Sequence, residues 1–250
     1  MMALTTVSYE IADNRAMVFW RTGTKRNGVL DIRFGFKAPK WEAGIIGELI
    51  AIRHLLADAK VFGVLPVMGK SLELNVSNAA IKLMAQTPET DSFASRFAIM
   101  LKGRLAGVNI NVTQSMEYML PLDTPITDPA YQVLDAQAWR YTNYRELVKT
   151  RSMGDLWVTP HAVRRYAERV SSATDGIRSP WGSLRRRLER HNLAPIKLDK
   201  RVERHKMLKY VGDDAQIWST DSDPMRYVVA VARDGSKTLV TCFERADRYM

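Results

Sequence analysis

The sequence predicts an α+β fold in two parts: a mixed-sheet N-terminal part, then a basic part with two helices and an antiparallel sheet. Three β-like runs open the chain and are followed by alternating helix and strand patterns. Two Ser/Thr-Pro pairs mark helix starts in the second half, and further β-like runs follow them. Pro121–Pro129 contains three prolines and is typical of a linker. We therefore expect domains at residues 1–120 and 130–250.

The elements of the first part follow from hydrophobic periodicity and turn residues. Three strands form an antiparallel meander because Asp13-Asn14 and Asn27-Gly28 supply the turns between them. The predicted elements, in order, are strands Thr5–Ile11, Met17–Thr22 and Val29–Phe36, helix Glu42–Ala59, strand Ser71–Val76, helices Asn78–Gln86 and Ser92–Leu105, and strand Val108–Thr113.

The second part begins with three predicted helices. Tyr131–Thr150 is the first, and Thr159-Pro160 and Ser179-Pro180 supply the N-cap and first turn of the other two. Asp234-Gly235 predicts a tight hairpin between the last two strands. The predicted elements are helices Tyr131–Thr150, Pro160–Val170 and Pro180–His191, then strands Ala194–Leu198, Arg204–Val211, Ala215–Ser219, Arg226–Arg233 and Lys237–Phe243.

Two segments of the first part carry a resemblance to the ribonuclease H-like fold, whose element order it shares. Glu48-Leu49-Ile50-Ala51-Ile52, followed by Leu55-Leu56, resembles the family's first helix. Leu72-Glu73-Leu74-Asn75-Val76-Ser77-Asn78-Ala79-Ala80 resembles its fourth strand. The resemblance implies a carboxylate cluster that holds two metal ions about 3.5–4 Å apart.

The carboxylates that such a cluster needs are largely missing. Val76 stands where the fourth-strand aspartate is expected, and the first strand offers only Glu10 or Asp13. Glu48 alone matches clearly, and one carboxylate cannot neutralise two divalent cations. We therefore expect a catalytically inactive scaffold without metals, in which Glu48 is a surface or helix-start glutamate.

Positive charge is concentrated in the second half. The chain has a net charge of +10, and residues 1–130 contribute only +2 of it. Residues 151–211 contain 15 Lys/Arg against 6 Asp/Glu. A basic segment of this kind favours a polyanionic partner, with nucleic acid ahead of an anionic membrane, although an ordinary basic face is the alternative.

The candidate nucleic-acid-binding residues are the cations of this segment, because arginine binds phosphate in a planar, bidentate geometry. On a helix, Arg186 and Arg190 share one face and Arg187 lies near it. Aromatic residues between the cations would stack on bases if exposed, but most are expected in the core. The complete candidate set is Arg164, Arg165, Arg169, Arg185, Arg186, Arg187, Arg190, Lys197, Lys200, Arg201, Arg204, Lys206 and Lys209.

Several function classes lack their sequence signals. There is no phosphate-binding or dinucleotide-binding glycine motif and no serine nucleophile elbow, so we assign no cofactor and no catalytic residue. Four scattered histidines and one cysteine, Cys242, predict no metal site and no internal disulfide. No apolar run is long enough to span a membrane, and Met1–Arg15 has no signal-peptide pattern.

These observations predict a cytoplasmic, non-catalytic nucleic-acid-binding protein. RNA is favoured over DNA because no helix-turn-helix, zinc finger or basic zipper is readable, whereas arginine and aromatic residues suit single strands. The absence of a recognisable family pattern along the whole chain is typical of phage or mobile-element proteins.

Two alternatives stay open. The layout of the second part resembles metal-independent toxin ribonucleases of the RelE and BrnT kind, which need a base and a cation beside the 2′-hydroxyl and phosphate. Candidates for those roles are His161, His191, His205, Arg169 and Arg204. The other alternative is a structural subunit of a nucleoprotein assembly.

Overall fold

The computed structural model describes residues 2–64, 66, 71–87, 92–136, 145–170, 179–196, 214–220 and 223–244. The chain divides into two compact units. Unit 1 comprises Met1–Leu101 and Leu105–Thr142, and unit 2 comprises Lys102–Arg104 and Asn143–Met250. Each unit contains one six-stranded mixed sheet and few helices, so the α+β class is confirmed.

Unit 1 is built on a sheet with the strand order β5-β4-β1-β2-β3-β6. Its strands are β1 Met2–Ala12, β2 Arg15–Thr22, β3 Arg26–Arg33, β4 Leu72–Val76, β5 Asn109–Val112 and β6 Tyr131–Asp135. Strands β1, β2 and β3 pair antiparallel, which confirms the predicted meander. Strand β4 pairs parallel with β1, β5 parallel with β4, and β6 parallel with β3.

One edge of this sheet collects the carboxyl ends of five strands. Because β2 alone runs in the opposite direction, β1, β3, β4, β5 and β6 all end on the same side. The connections that leave these strands therefore begin together. We call this side the carboxyl edge of unit 1.

Helix α1, Ala43–Arg53, continues into a π-helical turn, His54–Asp58, in agreement with the predicted helix. It packs on β1 and β2, and its residues Ile45–Ile52 are buried. A Cβ atom at Gly47 would lie 2.4 Å from the Cβ of Ala16, so only glycine permits this approach.

Two shorter helices complete the described part of unit 1. Helix α2, Ala79–Gln86, begins where Asn78 Oδ1 accepts a hydrogen bond from the Ala80 amide at 3.0 Å. The continuous helix predicted over Ser92–Leu105 is wrong. A 3₁₀ turn, Phe93–Arg96, and a short helix α3, Ile99–Lys102, replace it. Packing overrides helical periodicity here, because Phe93 and Phe97 both pack against Phe36, at centroid distances of 5.5 and 5.7 Å.

Unit 2 contains a sheet with the strand order β7-β8-β12-β11-β10-β9. Its strands are β7 Glu146–Thr150, β8 Gly154–Val158, β9 Ala194–Ile196, β10 Asp214–Thr220, β11 Asp223–Val231 and β12 Lys237–Glu244. The hairpin at Asp234-Gly235 is confirmed, and Gly235 has the positive φ of 81° that the turn requires. The sheet is mixed rather than wholly antiparallel, because β8 pairs parallel with β12.

The helix predicted over Tyr131–Thr150 is also wrong. Its first residues form β6 and its last form β7, while residues 137–144 lie outside the described ranges. Strand β6 pairs with β3, about a hundred residues upstream, and this pairing decides its conformation. In β7, buried Glu146 and Val148 alternate with exposed Leu147 and Lys149, which is a strand period.

Helices α4, Pro160–Val170, and α5, Pro180–Arg190, pack in unit 2 and agree with the predicted helices. They meet where the Tyr166 hydroxyl lies 2.9 Å from Ser183 Oγ. Helix α4 packs on β12, where the thiol of Cys242 donates to the Ala162 carbonyl. None of the helices in the described ranges combines the length and apolar character that crossing a membrane requires. The predicted strand Arg204–Val211 lies outside the described residues.

Candidate nucleic-acid interface

Helix α5 is amphipathic and contains four of the predicted binding arginines. Its buried side is formed by Trp181, Leu184 and Leu188, which recur at helical spacing. Arg186 and Arg190 lie on the exposed side, four residues apart. The apolar stripe thus fixes which arginines reach solvent.

The four arginines of α5 differ in how much of their hydrogen-bonding capacity the chain already uses. Arg185 Nε pairs with Glu189 Oε1 at 2.6 Å. The guanidinium of Arg187 lies 5.7 Å from the Tyr166 ring centroid, a cation–π contact with α4. Arg186 Nε donates to the Gly182 carbonyl, at 3.2 Å. Neither Arg186 nor Arg190 has an acidic partner among the described residues, so these two are the cations most available to phosphate.

Two of the predicted binding arginines of helix α4 lie beside a glutamate of the same helix. Arg165 pairs with Glu168 at 2.7 Å, and Arg164 lies 3.7 Å from the same carboxylate. Arg164 Nη2 also lies 3.1 Å from Nδ1 of the exposed His161. Arg169 is exposed near the end of the helix. Because Glu168 compensates two cations, α4 is a weaker phosphate site than α5.

The seven predicted residues that the structure describes are brought together on two helices of one unit. Contact between Arg187 and Tyr166, and between Tyr166 and Ser183, joins those helices. The other six predicted residues lie outside the described ranges: Lys197, Lys200, Arg201, Arg204, Lys206 and Lys209.

The aromatic residues of this region that the structure describes are buried and therefore cannot stack on bases. Tyr166, Trp181, Trp218 and Tyr227 are buried, in agreement with the expectation that most belong to the core. Tyr210 lies outside the described residues. The exposed aromatic side chains in the described part of the chain all belong to unit 1: Tyr9, Trp41 and Tyr118. Sequence patterns did not indicate this separation, because exposure of a single aromatic residue leaves no periodic signal.

Glu48 lies in a buried polar cluster of unit 1, and the expectation of a surface or helix-start glutamate is wrong. Its side chain is 0% exposed, within α1. Oε1 accepts hydrogen bonds from Thr6 Oγ1 at 2.8 Å and from the Ser77 amide at 2.6 Å. Oε2 accepts from Ser8 Oγ at 3.1 Å and from Ser77 Oγ at 2.7 Å. The cluster therefore ties α1 to β1 and to the end of β4.

The environment of Glu48 changes its acidity and limits its chemistry. Burial raises the pKa of Glu48, and the hydrogen bonds from Ser77, Thr6 and Ser8 offset this only in part. Four donors occupy the roughly four acceptor positions of the carboxylate. No group of three or more His, Cys, Asp or Glu side chains that could hold a metal occurs in the described ranges. Side chains at this cluster do not fit a divalent metal pair.

The other candidate carboxylates of β1 do not join Glu48. Glu10 and Asp13 are exposed, and Asp13 lies 3.5 Å from Lys37. The sequence did contain a signal for the cluster, namely hydroxyl residues at alternate positions 6 and 8 of β1 and at position 77 after β4. Such a signal is recognisable only once β1 and β4 are known to be neighbours.

Asp31 is the second fully buried carboxylate of unit 1. Arg15 donates to its two oxygens at 2.7 and 3.0 Å, and Arg33 donates at 3.3 Å. Burial raises the pKa of Asp31, but the hydrogen bonds and charges of the two arginines outweigh it and hold the pKa below its usual value.

No protein-family model, curated protein or solved structure matches the chain.

Proposed function

We propose that this protein is a non-catalytic nucleic-acid-binding protein that contacts the phosphate backbone through α5, with α4 beside it. The observation that carries the proposal is the exposed pair Arg186 and Arg190, which has no acidic partner among the described residues. Two uncompensated guanidinium groups on one face attract consecutive phosphates and form charge-assisted hydrogen bonds with them. The basic segment 197–209 adds charge next in sequence.

Single-stranded RNA is the proposed ligand. The sequence has no recognisable helix-turn-helix, zinc finger or basic zipper, the common motifs of proteins that read double-stranded DNA. Arginine-rich surfaces bind single strands without base-specific hydrogen bonding. The proposal places the protein in the cytoplasm, which is supported by its cysteine content, because a single cysteine, Cys242, cannot form an internal disulfide.

The proposal includes a ribonuclease H-like scaffold in unit 1 that holds no catalytic metals. The strand order β5-β4-β1-β2-β3, with an antiparallel meander followed by two parallel strands, supports this layout. Saturation of Glu48 by hydroxyl and amide donors supports the loss of metal chemistry.

The direct test is binding of the purified protein to labelled single-stranded RNA, single-stranded DNA and duplex DNA over a range of salt concentrations. The proposal predicts that affinity falls steeply as salt rises, because bound phosphates release counterions, and that RNA binds best. Strands recovered afterwards should be intact on a denaturing gel. Absence of binding at low salt would refute the proposal.

The same gel tests the toxin-type ribonuclease alternative. The observation that favours this alternative is the contact between exposed His161 Nδ1 and Arg164 Nη2 at 3.1 Å, which places a possible base beside a cation. His191, by contrast, is half-buried and its amide closes α5 by donating to the Arg187 carbonyl. Cleavage of RNA in the presence of a chelator, abolished by His161→Ala, would establish the alternative.

A further inference from the structure

Trp41 combines an unfavourable backbone conformation with an exposed indole. Its φ is +69°, in the left-handed region that bulky residues avoid, and its side chain is 74% exposed. A residue of this kind gains nothing from burial in return for the strained conformation. Strained positions that the surrounding structure maintains are concentrated at binding and catalytic sites.

Rigid elements hold Trp41 in place on both sides. The turn that contains it closes with a hydrogen bond from the Glu42 amide to the Pro39 carbonyl at 3.0 Å. The Ala38 amide donates to the Asp13 carbonyl at 2.6 Å, and Glu42 Oε2 accepts from the Ala94 amide at 2.7 Å. The indole is therefore presented by a fixed turn.

The location of this turn is one that favours ligand binding. It connects the end of β3 to the start of α1 and so lies at the carboxyl edge of unit 1. A Cβ atom at Gly44, in the first turn of α1, would lie 3.7 Å from Ser8 Oγ near the end of β1. In open sheets with parallel strands, ligands bind outside the carboxyl ends of the strands, where neighbouring connections diverge.

The charges around Trp41 indicate the chemistry of the ligand. Lys40 Nζ lies 5.0 Å from the centroid of the indole, and Lys37 and Arg33 are exposed in the same connection. Lys37 lies 3.5 Å from Asp13 and Arg33 lies 3.3 Å from Asp31, so Lys40 is the cation of this group without an acidic partner in the described ranges. An exposed aromatic face among cations matches a ligand that carries both a planar base and a phosphate.

We propose that Trp41 stacks on an unpaired base of single-stranded nucleic acid and that Lys40 contacts the adjoining phosphate. This inference rests on the proposed function but assigns unit 1 a binding residue of its own. Trp41 supplies the contact with a base that the buried aromatic residues of unit 2 do not supply.

Tyr118 provides a matched control. It also has a positive φ, +59°, and is 53% exposed, and the Arg21 guanidinium lies 5.8 Å from its ring centroid. Its carbonyl accepts from Asn27 Nδ2 near the amino end of β3, which is the opposite side of the sheet from the carboxyl edge. Tyr118→Ala therefore removes a similar exposed aromatic side chain that lies away from the carboxyl edge.

The test compares the affinity of the full chain for a single-stranded RNA dodecamer and for an abasic strand of equal length and charge. Wild type should bind the dodecamer with bases roughly 5- to 100-fold more tightly, the range expected for one or more stacked bases. Trp41→Ala should bind both strands equally, with the affinity for the abasic strand unchanged. Tyr118→Ala should keep the wild-type preference for the strand with bases. Trp41→Gly should also abolish the ratio, with an undiminished Tm, because glycine accepts the positive φ.

Each outcome decides between the two proposals. A ratio that survives Trp41→Ala, or that Tyr118→Ala lowers equally, overturns the inference. Equal binding of both strands by wild type overturns it as well, while leaving the phosphate-binding function in place. Binding of neither strand overturns both. Charge reversal at Arg186 and Arg190 should weaken binding of both strands and preserve their ratio.

Discussion

Two buried carboxylates of unit 1 and two exposed arginines of unit 2 are used in opposite ways. In unit 1, Glu48 and Asp31 are fully buried, and hydroxyl, amide or guanidinium donors satisfy their oxygens. In unit 2, Arg186 and Arg190 are exposed and have no acidic partner in the described ranges. A satisfied buried charge stabilises its neighbours, whereas an exposed charge without a partner attracts counterions. The first group is therefore expected to support the fold, and the second is the proposed binding group.

The comparison applies first to Glu48, whose oxygens accept hydrogen bonds from within unit 1. Donors from three strand and strand-end positions surround Glu48, so its charge is used inside the unit. On α5 of unit 2, by contrast, the exposed Arg186 and Arg190 have no acidic partner among the described residues. Substitutions at Glu48 and Asp31 should therefore alter stability, and substitutions at Arg186 and Arg190 should alter binding.

The largest expected effect is on stability, from Glu48→Leu. This variant removes the acceptor of four hydrogen bonds and leaves the buried Thr6 hydroxyl and the Ser77 amide without their partner. We expect a loss of about 3 kcal/mol in the free energy of unfolding, measured by urea denaturation. Glu10→Leu, at an exposed glutamate of β1, should change it by less than about 0.5 kcal/mol. An equally small effect at Glu48 would contradict the buried cluster.

Asp31→Asn should have the next largest effect, about 2 kcal/mol, because it weakens a buried carboxylate's bonds to two partly exposed arginines. The pKa of Asp31 is lowered in the folded state, so its contribution is present above the usual value of 3.8 and is lost as pH falls below it. The difference between wild type and variant should shrink below about pH 4 in denaturation measurements. A difference that stays constant from pH 7 to pH 3 would count against the ionised pair.

Glu48→Gln tests the opposite pH dependence. The pKa of Glu48 is raised in the folded state, so its stabilisation is complete below the usual value of 4.5 and is lost as pH rises through the folded pKa. The isosteric amide does not titrate, and the hydroxyls around it can rotate to accept from it. We expect the variant to be within about 1 kcal/mol of wild type at pH 7 and to lose less stability between pH 4 and pH 8. Parallel stability curves would show that Glu48 does not titrate in this range.

The smallest effects should come from single arginine substitutions on α5, and they should differ in kind. Arg187→Ala removes the contact with Tyr166 and should cost about 0.5–1 kcal/mol of stability. Arg186→Ala should leave Tm unchanged and weaken RNA binding roughly 5-fold, as expected for one lost charge-assisted contact. Measurement of Tm and Kd for both variants tests whether Arg187 stabilises the fold while Arg186 binds RNA. Equal changes in Tm and Kd for the two variants would show that the two arginines do not differ in role.

Local signals predicted much of this structure. Turn residues predicted the meander and the final hairpin, Ser/Thr-Pro pairs predicted α4 and α5, and the spacing of Arg186 and Arg190 predicted their common face. Errors arose where distant residues decide the outcome. Strand β6 forms because β3 pairs with it, and Glu48 is buried because Thr6, Ser8 and Ser77 surround it.

The central claim is that exposed arginines of α5, rather than net charge in general, bind nucleic acid. The most direct test measures Kd for single-stranded RNA with Arg186→Glu/Arg190→Glu against a control of equal charge change, Lys25→Glu/Lys149→Glu. Lys25 lies in an exposed turn of unit 1, and Lys149 is an exposed residue of β7. The account predicts roughly 10- to 100-fold weaker binding and a shallower salt dependence for the α5 variant, with the control within about 3-fold of wild type. Equal losses in both variants, or unchanged affinity in a folded α5 variant, would contradict it.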